Sequence, residues 1–124
     1  VGSSRDHVLL ARIGRKLPIF EDGAALVAGS QRFDRPGTGA IFITPNPEAT
    51  ERYLLVVTGV DAAGIWRALS LPQLLPDFLV YDERLGAAAA EVVLGRDARV
   101  LAGGFFDWDW KLPALLADPE ASAR

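Results

Sequence analysis

Residues 39–60, GAIFITPNPEATERYLLVVTGV, decide the fold. Residues 40–44 are β-branched, aromatic or apolar almost throughout, which suits a pleated, buried surface and predicts a strand. Pro45 and Pro47 are expected to end it, because proline has no N–H to give to a ladder. A charged loop follows, then a second apolar run over residues 53–58 that closes on Gly59. The connector, residues 45–52, is too short for a crossover helix, which needs about a dozen residues. The two strands are therefore expected to pair antiparallel, or the second to be offset within a mixed sheet.

Downstream, Asp61 is placed to cap a helix over residues 62–70, with Ala62, Ile65, Trp66 and Leu69 as its buried stripe. Residues 71–76 continue it, broken by proline. Residues 78–81 read as a third core strand. Strand 53–58, the helix and strand 78–81 would form a right-handed βαβ unit. Residues 91–94 and 99–102 suggest a hairpin turning at Gly95-Arg96-Asp97. Residues 105–110 form an aromatic-acidic stretch, residues 113–117 suit one helical turn, and residues 119–124 read as a frayed tail.

Upstream, residues 7–16 predict a helix capped by Asp6 or Ser4, with Leu9, Leu10 and Ile13 as its apolar stripe and Pro18 as its stop. Arg12, Arg15 and Lys16 sit near its C-terminal end, where cations favour the dipole. Residues 24–27 and 31–33 suggest a short hairpin turning at Gly29-Ser30. Residues 35–39, rich in proline and glycine, read as a loop.

The chain has 124 residues and fits one domain spanning 1–124. That length buries enough surface to need neither disulfide nor metal. There is no cysteine, so thiols give no redox compartment. Hydrophobic residues make up 50% of the chain, at the upper edge for a globular domain. Two explanations stand side by side: an extra face buried against a neighbour, or central strands apolar on both faces. No run approaches the ~18–20 apolar residues of a membrane span. The formal net charge is −3, with no basic patch, which argues against nucleic acid as a partner. Only Lys16 and Lys111 are lysines. The excess of arginine, alanine, glycine and proline fits the coding bias of a GC-rich genome.

Chemistry is sparse. His7 is the single histidine, and no Gly-x-Ser-x-Gly elbow is present. Ser3 and Ser4 lie near His7 and Asp6, but sequence neighbours on a turn point in different directions and do not assemble a triad. One histidine without cysteine excludes the common zinc sets. The pairs Asp107/Asp109 and Asp82/Glu83 lack the spacing of a calcium loop. Residues 2–6 lack the repeated glycines of a phosphate turn, and Gly37-Thr38-Gly39 precedes a strand rather than a helix. No cofactor, metal or catalytic residue is expected. The recognition candidates are Phe105, Phe106, Asp107, Trp108, Asp109 and Trp110, together with Trp66. Aromatic faces beside carboxylates can stack on sugar rings, anchor a protein interface, or staple the domain's own core.

The order strand, Asn-Pro, short loop, Arg-Tyr, apolar strand, Gly resembles a small Rossmann-like domain. That domain is attached to secreted bacterial α/β-hydrolases of the prolyl-oligopeptidase-like type, and a related module occurs in archaeal surface-layer proteins. The matching residues are Gly39, Ile41, Pro45, Asn46, Pro47, Arg52, Tyr53, Val56, Val57 and Gly59. Val1-Gly2, Lys16-Leu17-Pro18-Ile19, Leu75-Pro76-Asp77-Phe78, Val80 and Phe105-Phe106 extend the resemblance over most of the chain. It implies an α/β fold: a three-layer Rossmann-like mixed sheet with flanking helices and peripheral β-hairpins. The family's unit begins with a strand leading into the Val-Gly turn, so the first strand would be missing here and the chain would be part of a longer or processed protein.

The resemblance also implies a non-catalytic accessory domain of an exported serine hydrolase, outside the cell or on its surface. Its partner would be the catalytic domain, another protein chain, or a second copy of itself. The alternative is a surface-layer-like or carbohydrate-contacting module with no enzyme attached. A small independent enzyme is the third reading.

Overall fold

The structure, a computed structural model, describes residues 1–71, 75–85 and 100–113. Within them the chain is a mixed α/β fold with two antiparallel sheets and two short helices.

The quoted stretch forms a long hairpin, strands β4 (Gly39–Asn46) and β5 (Ala49–Gly59). The register runs from Gly39 opposite Gly59 to Pro45 opposite Tyr53, then shifts between Pro45 and Asn46. The expected antiparallel pairing is present, but β4 does not stop at Pro45. Ile43 N donates to Asp77 O at 3.0 Å, so alternate residues of β4 bond towards the following strand. Pro45 lies beyond the last of those bonds, and its missing N–H leaves no gap in the ladder.

Strand β6 (Phe78–Tyr81) lies on the other side of β4, and β7 (Val100–Gly104) lies beside β6. The order is β5-β4-β6-β7, with antiparallel neighbours throughout. This corrects the expected mixed sheet and the simple βαβ unit. Strands β5 and β6 run in the same direction, but β4 separates them. A hairpin closed by only Pro47 and Glu48 loses little loop entropy, so β4 takes the place beside β5. Strand β5, expected to be central, is at an edge. Beside it, Gly2 N donates to Val57 O at 2.9 Å.

Strands β1 (Ile19–Asp22), β2 (Ala25–Ala28) and β3 (Gln31–Phe33) form the second sheet in that order. The expected hairpin is β2–β3. The sequence reading missed β1, whose four residues include only two apolar ones. Gly29 turns the expected hairpin with φ +62°, a left-handed conformation suited to glycine.

Helix α1 (Val8–Ile13) passes into a 3₁₀ turn over Gly14–Lys16. Its cap is His7, without a side-chain bond. Asp6 and Ser4 are engaged elsewhere: Asp6 accepts from Ser3 Oγ, and Ser4 N donates to Glu21. Helix α2 (Ala62–Trp66) continues as a 3₁₀ turn over Arg67–Ser70. Here Asp61 caps as expected, accepting from Gly64 N at 2.8 Å, while its other oxygen accepts from Gly37 N at 2.9 Å.

The predicted stripe on α2 is overturned. Its buried residue is Gly64, while Trp66 is 70% exposed and Leu69 points to solvent. So short a helix docks through its backbone, with Gly64 against Thr38 and Gly39. Tyr81 Oη donates to Gly64 O at 3.1 Å, locking that orientation and turning Trp66 outward.

Both faces of the four-stranded sheet carry core. On one, Phe42, Val56, Phe78 and Val80 pack with Leu10, Ile13, Ile19 and Leu26. On the other, Leu79, Tyr81 and Leu85 pack with Ile41 and Leu71. The apolar character of β4 and β6 is therefore used within the chain. Leu55, within the apolar run of residues 53–58, is 66% exposed on the edge strand β5. The expected strand at residues 91–94 and the C-terminal turn and tail over residues 114–124 lie outside the described residues.

Candidate functional site

Strand β7 ends at Gly104, and the chain then enters the aromatic-acidic stretch. It is a turn, and it lays Phe106 against the core. Phe106 N donates to Asp77 Oδ2 at 3.0 Å, pinning the stretch to the start of β6. The Phe106 ring packs on Phe78 with centroids 5.2 Å apart. Trp110 contacts Phe106 at 6.1 Å and Tyr53 of β5 at 5.3 Å, all in tilted geometry, which suits the ring quadrupoles.

Asp107 organises the turn. Its Oδ1 accepts from Asp109 N at 2.8 Å and Lys111 N at 2.9 Å. Its backbone N–H donates to Lys111 O, and its carbonyl accepts from Trp110 N. Trp110 is held at φ +61°. A bulky residue rarely adopts that conformation, which costs about 1–2 kcal/mol. The four hydrogen bonds and two ring contacts offset this.

The result divides the predicted residues into roles. Phe106 and Trp110 belong to the core side of the turn. Phe105 is 58% exposed and Trp108 fully so, at 101%. With Asp77, Phe106, Asp107 and Trp110 they line a hollow of about 360 Å³. Trp66 is not part of it: α2 packs at the Gly39/Gly59 end of the hairpin, whereas Trp110 packs at the Pro45/Tyr53 end. Tyr53 and Asp77 carry part of the family resemblance but are not among the site residues expected from sequence. Tyr53 could be found only through the hairpin register, and Asp77 only as a short acceptor directly before a strand.

The other candidates take structural places. Ser3 Oγ donates to Asp6 Oδ2 at 3.0 Å and accepts from Arg5 N. His7 Nδ1 is buried without a hydrogen-bond partner among the described residues, so no serine–histidine pair forms there. Asp82 is buried and accepts from Arg84 Nε at 3.1 Å, with Arg35 at 3.8 Å. Burial pushes the Asp82 carboxyl up, but hydrogen bonds from Arg84 and the charges of Arg84 and Arg35 outweigh that and hold it below the ordinary carboxylate value. Burial pushes the Tyr81 hydroxyl well up, only partly opposed by Arg67, which keeps it a donor to Gly64. Among the described residues no group of three histidine, aspartate or glutamate side chains stands together as a metal site, and no helix is long and apolar enough to cross a membrane.

Comparison with known protein families, curated proteins and solved structures finds no match to this chain.

Proposed function

We propose that this chain is a non-catalytic interaction domain that docks on a protein partner through Phe105 and Trp108. The observation that carries this reading is Trp108, whose whole side chain is in water at the tip of a turn pinned by Asp107. Buried aromatic anchors dominate protein interfaces, and a tryptophan on a pinned backbone has only two side-chain torsions left to order on docking. The resemblance of residues 39–60 to accessory domains of exported α/β-hydrolases supplies the kind of partner: the catalytic domain of a serine hydrolase. The kinship rests on the same residue pattern; the larger sheet carries core on both faces, but its strands are antiparallel throughout.

The test begins with the coding sequence flanking this domain, searched for a Gly-x-Ser-x-Gly nucleophile elbow. The encoded hydrolase domain is then titrated with this chain and with Trp108→Ala. Expected are saturable binding, weakened more than about tenfold by the substitution, and no ester turnover by this chain alone. Absence of an elbow, or binding indifferent to Trp108, sinks the proposal.

The second reading is a carbohydrate-contacting module, favoured by the hollow itself. Asp77 and Asp107 each use one carboxylate oxygen on the backbone, and each keeps another for a sugar hydroxyl beside the rings. Titration with neutral oligosaccharides separates this reading from the first.

A further inference from the structure

Trp110 also lines a second, larger groove of about 640 Å³, a size in the range of ligand clefts. Its walls come from three distant parts of the chain. Leu17 and Phe20 follow α1, Pro47 sits in the β4–β5 connection, and Trp110 and Leu112 end the aromatic turn. Each wall is held in place. Arg12 grips Glu48 through Nε and Nη2 at 2.6–3.0 Å, tying α1 to the hairpin connection. Glu48 N donates to Asn46 Oδ1, and Asp107 fixes Lys111 N. A groove shaped before its ligand arrives loses less entropy on binding.

The charges in this groove are distinctive. The chain has two lysines, Lys16 and Lys111, and both line it. Arg12, Arg15, Arg32, Arg35 and Arg84 each hold a carboxylate, whereas neither lysine is in an ion pair among the described residues. Glu48 lies close enough to feel Lys16 but is taken by Arg12. Among the described residues Asp109 is the one carboxylate in the lining. The groove is therefore locally cationic on a chain of net charge −3, with apolar walls between its cations.

We propose that this groove binds an extended peptide segment in which an acidic side chain recurs at every third position with apolar ones between. The acids pair with Lys16 and Lys111, and the apolar side chains lie on Trp110, Phe20 and Pro47. Aromatic and proline walls suit extended, proline-containing segments. An acidic saccharide would need more polar partners than the Asn46 amide, the Thr50 hydroxyl and Asp109 provide. Two unpaired cations among the described lining residues are too few for nucleic acid. The site stands apart from docking through Phe105 and Trp108, and either can fail without the other.

The test uses the full chain and an end-blocked, fluorescein-labelled hexapeptide of sequence PELPEL, read by anisotropy. Expected is saturable binding that weakens about tenfold or more when both glutamates become glutamine, and falls further in high salt. Lys16→Gln and Lys111→Gln should each weaken it about three- to fivefold. Both lysines are exposed, so the variants should fold as the parent does. Amide shifts in NMR should centre on Leu17, Thr50 and Leu112. No saturation by about 5 mM, equal affinity for the glutamine peptide, or shifts confined to residues 105–108 would overturn the proposal. Binding of oligogalacturonate in place of the peptide would overturn it in favour of an acidic saccharide.

Discussion

Gly64 sits where a β carbon would overlap the carbonyl oxygen of Thr38. A β carbon at Gly39 would overlap the carbonyl oxygen of Gly64 and press on the Tyr81 ring at 2.8 Å. Backbone cannot yield as the end of a flexible side chain can, so α2 must lift off the sheet if either position gains a methyl group. Gly64→Ala and Gly39→Ala should each destabilise the domain by about 3 kcal/mol, read as a shift in the urea midpoint at unchanged slope. A change under about 0.5 kcal/mol would mean that α2 does not rest on this contact. Trp108 is the opposite case. Its ring touches nothing that folding needs, so Trp108→Ala should leave the midpoint within about 0.5 kcal/mol while weakening partner binding. Loss of stability on that substitution would move Trp108 from docking surface to core.

Among the elements, the aromatic turn depends on one carboxylate. Asp107→Ala removes the acceptor for two backbone N–H groups and leaves Trp110 in its strained conformation with fewer supports. It should cost about 1 kcal/mol and speed amide hydrogen exchange at Asp109 and Lys111, with β4 and β6 unchanged. Exchange left as in the parent would show that the ring contacts of Trp110 alone hold the turn. The sequence made the aromatic-acidic content plain but not this division of labour. Which of Phe105, Phe106, Trp108 and Trp110 faces water depends on the Asp107 bonds and on Tyr53, more than fifty residues away. The elements that could be read were those whose signal is local: the β4–β5 hairpin, the Asp61 cap, the β2–β3 turn. The ones that could not were set by partners. Helix α2 and the 3₁₀ turn after it carry Ile65, Trp66 and Leu69 at helical spacing, yet a glycine faces the sheet, because Tyr81 and Thr38 leave room for nothing larger. Strand β5 is apolar enough to be central, but its place was decided by β4 lying between it and β6.

For the molecule as a whole, three carboxylates tie together parts that are distant in the chain. Glu48 joins the β4–β5 connection to α1 through Arg12. Asp22 joins β1 to β3 through Arg32 and to the first 3₁₀ turn through Arg15. Asp82 joins the end of β6 to Arg84 and Arg35. All three are held below the ordinary carboxylate value. Hydrogen bonding and charge from arginine do this for Glu48 and Asp22; at Asp82 they do it against the upward push of burial. A carboxylate with a lower pKa in the folded chain binds fewer protons there than in the unfolded chain, whose aspartate and glutamate values lie near 4. Its contribution is therefore complete above about pH 5 and is lost as pH falls through the unfolded value towards the folded one. The melting temperature should be level from pH 7 to about pH 5 and fall steeply below about pH 4. Salt separates the three. At about 1 M NaCl the exposed Arg12–Glu48, Arg15–Asp22 and Arg32–Asp22 pairs are screened, whereas Asp82, shut away from solvent, is not. Asp82→Asn should thus cost about 1–2 kcal/mol at pH 7 and flatten the acid limb of the profile in high salt, where the other two carboxylates are already silent. An acid limb unchanged by Asp82→Asn in 1 M salt would show that some other carboxylate sets the domain's response to acid.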